Sequence, residues 1–172
     1  MKNSKSLSSF FLLSMFLLIT QFIVVQSDAN LIAQTCKQTP YYDLCVRSLN
    51  SDPRSPSADV RGLALIMVDI VKARSTTTLN LIKQLLRKMP KLKIPLTDCA
   101  ADYNAILTSS IPQAIEALKK GNAKFAEDGA NSARQEAELC EANFNGKSPI
   151  TKFSAAVRKS SAIAAAIIRL LL

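Results

Sequence analysis

Two stretches of the chain repeat small or apolar residues at alternating steps of three and four. Ala126, Ala130, Ala133, Ala137, Cys140 and Phe144 form one series; Ile150, Phe153, Val157, Ser160, Ala164, Ile167 and Leu171 form the other. This spacing keeps one stripe of a helix turned towards a partner, as in the seam of a bundle. A helix carrying such a stripe must bury it against other elements. Composition agrees: 22 Ala and 22 Leu stand beside only 4 Gly and no Trp. That balance favours helix over a β-sandwich or a collagen-like chain.

Proline and glycine punctuate the rest. Pro40 separates two short helical stretches, Leu31 to Lys37 and Tyr41 to Leu49. After the Asp52-Pro53 and Ser55-Pro56 break, Ser55 is expected to cap a long helix reaching Lys88, with Pro56 at its first position. Its polar middle, Ser75 to Thr78, is expected to loosen it locally. Pro90 and Pro95 frame a linker before a helix from Leu96 to Lys120, which Pro112 should kink and Gly121 should close. Ser148 and Pro149 are expected to open the last helix, after one from Lys124 to Phe144. Short loops between the last three helices force them antiparallel. The expected fold is all-α: an N-terminal helical hairpin over residues 30–55 and an up-down-up-down four-helix bundle over 56–172.

Residues 1–29 read as a secretory signal peptide. Lys2 and Lys5 precede an apolar run from Phe10 to Val25, and small residues follow, with cleavage after Ala29 or after Ser27. An uncleaved anchor is the competing reading, because the stretch from Leu7 approaches the ~20 residues that span a bilayer. Polar interruptions at Ser14, Thr20 and Gln21, and the small residues after the run, favour the cleaved signal, hence entry into the secretory pathway and no stable membrane insertion.

An even number of cysteines behind a signal implies disulfides. Cys99 lies 22 residues before Gly121 and Cys140 lies 19 after it. At about 1.5 Å per residue, two antiparallel helices bring them to one end of the bundle. Cys36 and Cys45, either side of Pro40, are left for each other. Without His and without a CxxC pair, no metal site and no cofactor are expected.

Chemistry of the chain's own finds thin support. The absence of His removes His-based triads and His pH switches. Glu127, Asp128, Glu136, Glu138 and Glu141 cluster in sequence, but an Ala-rich seam leaves no evident cleft, so they read as a solvated acidic face. The chain carries 22 Lys+Arg against 13 Asp+Glu, a formal charge of +9. Lys83, Arg87, Lys88, Lys91 and Lys93 form a basic patch that reads first as a solvated face and second as a polyanion site. Without interleaved aromatics it does not suggest nucleic acid. The segment from Gly121 to Gly129 stands out instead, because Phe125 sits beside a cation at a bend between two helices. Phe125 either faces a partner from a rigid scaffold or packs onto the core.

The chain resembles the plant invertase and pectin methylesterase inhibitor family across essentially all of its mature region. Thr35-Cys36-Lys37, Tyr41-Tyr42-Asp43-Leu44-Cys45, Leu63 to Asp69, Pro95-Leu96-Thr97-Asp98-Cys99, Glu116 to Gly121, Phe125 to Gly129 and Glu138-Leu139-Cys140-Glu141 carry the resemblance. It implies the bundle, the hairpin and the same cysteine pairing. It looks most like the invertase-inhibitor branch, whose members carry Pro-Lys-Phe at the bend; here these positions are Ala123, Lys124 and Phe125. The resemblance implies that this bend enters the sugar-cleaving cleft of a plant acid invertase, a glycosidase working with two carboxyl groups. Lys124 would meet those carboxyl groups, Phe125 would fill the sugar pocket, and Glu127 and Asp128 would lie at the rim. Inhibition of pectin methylesterase is the neighbouring alternative. A wall-polysaccharide binder and an apolar-ligand carrier are alternatives of another class.

Overall fold

The computed structural model describes residues 30–172; the expected signal peptide lies outside them. Residues 30–37 form α1 and Tyr42–Asn50 form α2, a hairpin clamped by the Cys36–Cys45 disulfide with its Cα atoms 5.6 Å apart. A single 3-10 turn, Ser55–Ser57, leads into α3, Val60–Lys88. A second 3-10 turn, Pro90–Leu92, precedes α4, Lys93–Ala105. A π turn, Ile106–Ser110, joins α4 to α5, Ile111–Lys119. Then come α6, Ala123–Ala142, and α7, Thr151–Arg169. The four long elements close a ring: α3 packs on the α4–α5 rod, that rod on α6, α6 on α7, and α7 back on α3. No strand occurs among the described residues.

The Ala-rich seam of α6 is buried along its whole length, from Ala126 to Phe144. Small side chains there let neighbouring helices approach closely. The second disulfide, Cys99–Cys140, ties α4 to α6 as the antiparallel arrangement requires, with Cα atoms 4.4 Å apart. The seam of α7 holds at Ile150, Val157, Ser160, Ala164 and Ile167, and Leu171 is partly buried. Phe153 departs from it and is exposed, while its neighbour Ser154 is fully buried. The reason is a polar contact: Ser154 Oγ accepts a hydrogen bond from the Tyr103 hydroxyl at 3.1 Å. Burial pushes that hydroxyl's pKa up to about 12, so it remains a donor.

Several expected boundaries move. Ser55 does not cap α3; it is buried in the 3-10 turn, and its Oγ has no hydrogen-bond partner among the described residues. Asp59 is the cap instead, accepting from the Gly62 amide at 2.7 Å. The polar middle of α3 does not loosen it. Thr76, Thr77 and Thr78 each donate a hydroxyl hydrogen bond to the carbonyl four residues back, and the helix runs through unbroken. Pro95 lies inside the first turn of α4, where its missing N–H costs nothing. The disruption expected at Pro112 is the π turn just before it, which widens the ladder where the proline ring would clash. The last helix begins at Thr151, because Ser148 accepts from the Ile150 amide and holds residues 148–150 in a turn.

Candidate partner-binding site

The bend between α5 and α6 is built from two consecutive caps. At the end of α5 the Asn122 amide donates to the Ala117 carbonyl at 2.8 Å and the Gly121 amide to Leu118 at 3.2 Å. This pair of bonds is a Schellman motif, and it places Gly121 at φ +74°, where a side chain would be strained. Asn122 then caps α6, its side-chain oxygen accepting from the Phe125 amide at 3.2 Å. The turn therefore spends almost no residues, and Ala123, Lys124 and Phe125 form the first turn of a helix rather than a loose loop.

Two further contacts fix that turn on the bundle. Gln113 of α5 donates its side-chain amide to the Phe125 carbonyl at 3.1 Å. One turn on, Gly129 lies so close to the π turn that a Cβ there would sit 2.7 Å from the Ser110 carbonyl oxygen and 2.9 Å from the Ala114 nitrogen. Only a glycine lets α6 approach at this point, so Gly129 and the π turn jointly set the exit angle of the bend.

The five residues expected to meet a partner divide by direction. Phe125 is 58% exposed, so it does not staple α6 to the core. It borders an open groove of about 600 Å³ whose other walls include Thr108, Gln113, Glu116 and Asn122. The Lys124 ammonium is exposed and lies 3.1 Å from Asp128 and 3.7 Å from Glu127. The hydrogen bond to Asp128, together with the two nearby carboxylates, holds its pKa above the ordinary lysine value, so it stays charged. Asp128 is partly exposed, and Ala123 is half-buried.

Glu127 turns the other way. It is buried, and Arg169 at the end of α7 donates to its Oε1 from both Nε, at 2.9 Å, and Nη2, at 2.5 Å. The expected rim contact is thus an anchor between the ends of α6 and α7. Its position beside Ala126 and Ala130, on the seam side of α6, was the available sign; the partner 42 residues away was not. The remaining acids are engaged separately. Glu136 accepts from Ser110, Glu138 pairs with Arg134, and Glu141 accepts from Ser148. They form no paired-carboxylate cleft. The basic patch from Lys83 to Lys93 is exposed.

Comparison with known proteins fits this architecture. Residues 30–167 match the family model described as "Plant invertase/pectin methylesterase inhibitor". The chain belongs to this inhibitor family. An Arabidopsis thaliana relative named "Cell wall / vacuolar inhibitor of fructosidase 1" is 48% identical over 141 residues, covering 82% of this chain and 69% of that protein. The Actinidia deliciosa protein named "Pectinesterase inhibitor" is 34% identical over 124 residues, covering 71% of this chain and 66% of that protein. Among solved structures, the crystal structure of mutant form A of a pectin methylesterase inhibitor from Arabidopsis superposes with a TM-score of 0.70 at 22% identity. It covers 80% of this chain and 94% of that one, and shows the shared inhibitor-family fold. Among the described residues no helix is long and apolar enough to cross a membrane.

Proposed function

We infer that this chain inhibits a plant acid invertase by occluding its sucrose-binding cleft with the α5–α6 bend, and that it performs no catalysis itself. The observation that carries the reading is the exposed Phe125 on a doubly capped, glycine-registered first turn. A ring already held in its presenting position loses little further freedom on binding. Burying it in a sugar-sized pocket removes apolar area from water, and a central aromatic is the kind of residue on which binding energy concentrates. Lys124 supplies the cation. Its bond to Asp128 is a surface contact of small net worth, so exchanging it for the carboxyl groups of a glycosidase costs little.

Relatives named as inhibitors of fructosidase support the choice of enzyme, and their cell wall and vacuolar names suit a chain entering the secretory pathway through residues 1–29. The pectin methylesterase alternative draws on the Actinidia relative. A sucrose-hydrolysis titration with wild-type protein and the Phe125→Ala, Lys124→Ala double variant tests the first reading. Inhibition should weaken at least a hundredfold while the far-ultraviolet spectrum and melting temperature are retained. Full inhibition by the double variant refutes the bend as the reactive surface. Inhibition of pectin methylesterase alone by the wild type transfers the assignment to the second enzyme.

A further inference from the structure

A second concave surface lies between the hairpin and α7. It is an open groove of about 860 Å³ walled by Tyr41 and Tyr42 of the hairpin, Arg47, Arg74, and Lys152 and Lys159 of α7. The two tyrosines are 39% and 42% exposed, and the Lys159 ammonium rests 5.6 Å from the centroid of the Tyr41 ring. Four cations thus share one groove with a single carboxylate, Asp43, on its wall. None of the four is in a salt bridge among the described residues.

Arg74 shows how the charge is held. Its guanidinium spans three helices, donating to the Ala156 carbonyl at 3.3 Å, to Ser160 Oγ and to Ser48 Oγ at 3.4 Å. Every partner is a neutral oxygen. Burial lowers its pKa, the direction expected of a cation drawn out of water without a counter-ion. The groove therefore presents a fixed, uncompensated positive charge beside two exposed aromatic rings. It lies away from the bend: along α7, Lys159 and Lys152 precede Arg169, the partner of Glu127, by about 15 and 25 Å.

We propose that this groove binds an acidic saccharide, a chain of uronate sugars. A pyranose ring offers an apolar C–H face that suits a tyrosine ring, and a uronate adds a carboxylate at its edge within reach of Arg and Lys. A neutral sugar leaves four cations unanswered. An acidic peptide answers the charge but lacks the flat apolar faces that two adjacent exposed tyrosines would meet. The groove would hold the inhibitor on acidic wall polymer while the bend stays free for the enzyme.

The chain suits a direct test. It has no Trp and 3 Tyr, of which Tyr103 is buried out of a ligand's reach, so a ligand-induced change in tyrosine emission reports on Tyr41 and Tyr42. The folded protein is titrated with an α-1,4-linked galacturonate hexamer, its fully methyl-esterified form and a poly-glutamate peptide. Calorimetry gives affinity and emission gives location. The acidic hexamer should bind and change the emission, with the ester and the peptide each at least tenfold weaker. The exposed Lys152→Gln, Lys159→Gln double variant should lose at least tenfold, and a Lys83→Gln, Lys88→Gln, Lys91→Gln variant less than twofold. Equal binding of the ester, or of the peptide, overturns the proposal. So does an equal loss in the Lys83 variant, or no binding of the hexamer at low salt. Sucrose-hydrolysis inhibition by the Lys152 and Lys159 variant should be unchanged, which separates this groove from the bend.

Discussion

The bend and the hairpin groove both pair aromatic rings with cations, but they treat charge in opposite ways. At the bend, Lys124 is surrounded by the carboxylates of its own helix, and Phe125 is left as the exposed, uncommitted group. In the groove the rings share space with four cations that form no ion pair among the described residues, with Asp43 the one carboxylate on the wall. The first surface offers apolar area with a charge that must be exchanged; the second offers charge with apolar area beside it. Selectivity at the bend should therefore come from shape, and at the groove from charge, so that binding there weakens as ionic strength rises. The two surfaces are also braced differently. A disulfide closes the hairpin, whereas two caps and a glycine contact set the bend.

That difference can be broken one side at a time. Replacing Cys36 and Cys45 by Ser opens a loop of sequence separation 9. The expected cost is about 2.5 kcal/mol by loop entropy, read as a lower denaturant midpoint. Uronate binding should fall with it, and the inhibition constant of the folded fraction should not change. Gly129→Ala attacks the other side. Its methyl group meets backbone at 2.7 and 2.9 Å, so α6 must shift, at a cost of about 1–3 kcal/mol. Here inhibition should weaken while the groove keeps its affinity.

A pH dependence follows from two part-buried acids, Asp102 of α4 and Glu136 of α6. Burial and then the nearby Asp98 raise the pKa of Asp102; burial raises that of Glu136, opposed by its hydrogen bond from Ser110 and assisted by the nearby Asp102. Raised folded-state values mean that the native chain binds more protons than the unfolded chain. The contribution to stability is complete below the unfolded carboxyl range near ~4 and is lost as pH rises through the folded values. Melting temperature should fall between mildly acidic and neutral buffer, and Asp102→Asn with Glu136→Gln should flatten that fall. The smallest expected effect is at Ala123, the first residue of α6, a position that tolerates proline. Ala123→Pro should stabilise by about 0.5 kcal/mol and tighten inhibition severalfold by restricting the free bend.

Much of this fold was legible because it rests on local spacing. The seam of α6 and the antiparallel pairing that joins Cys99 to Cys140 follow from periodicity and a short turn. What escaped depends on partners distant in sequence. Glu127 reads as a surface acid until Arg169 closes on it, and Phe153 reads as a seam residue until Tyr103 claims Ser154. Arg74 reads as one charge in a helix until Ser48 and Ser160 fix it in a groove. Ser55 misled for a different reason: the Ser-Pro pair has the form of a helix start but closes a 3-10 turn, and the cap falls to Asp59, whose carboxylate reaches the Gly62 amide.

The central claim concerns which surface meets the enzyme. A crystal structure of this chain bound to an acid invertase tests it most directly. The account predicts the Phe125 ring inside the sugar cleft, the Lys124 ammonium within about 3–4 Å of the cleft's carboxyl groups, and the Tyr41–Tyr42 groove open to solvent. A complex in which Phe125 faces solvent while another side of the bundle covers the cleft would contradict it.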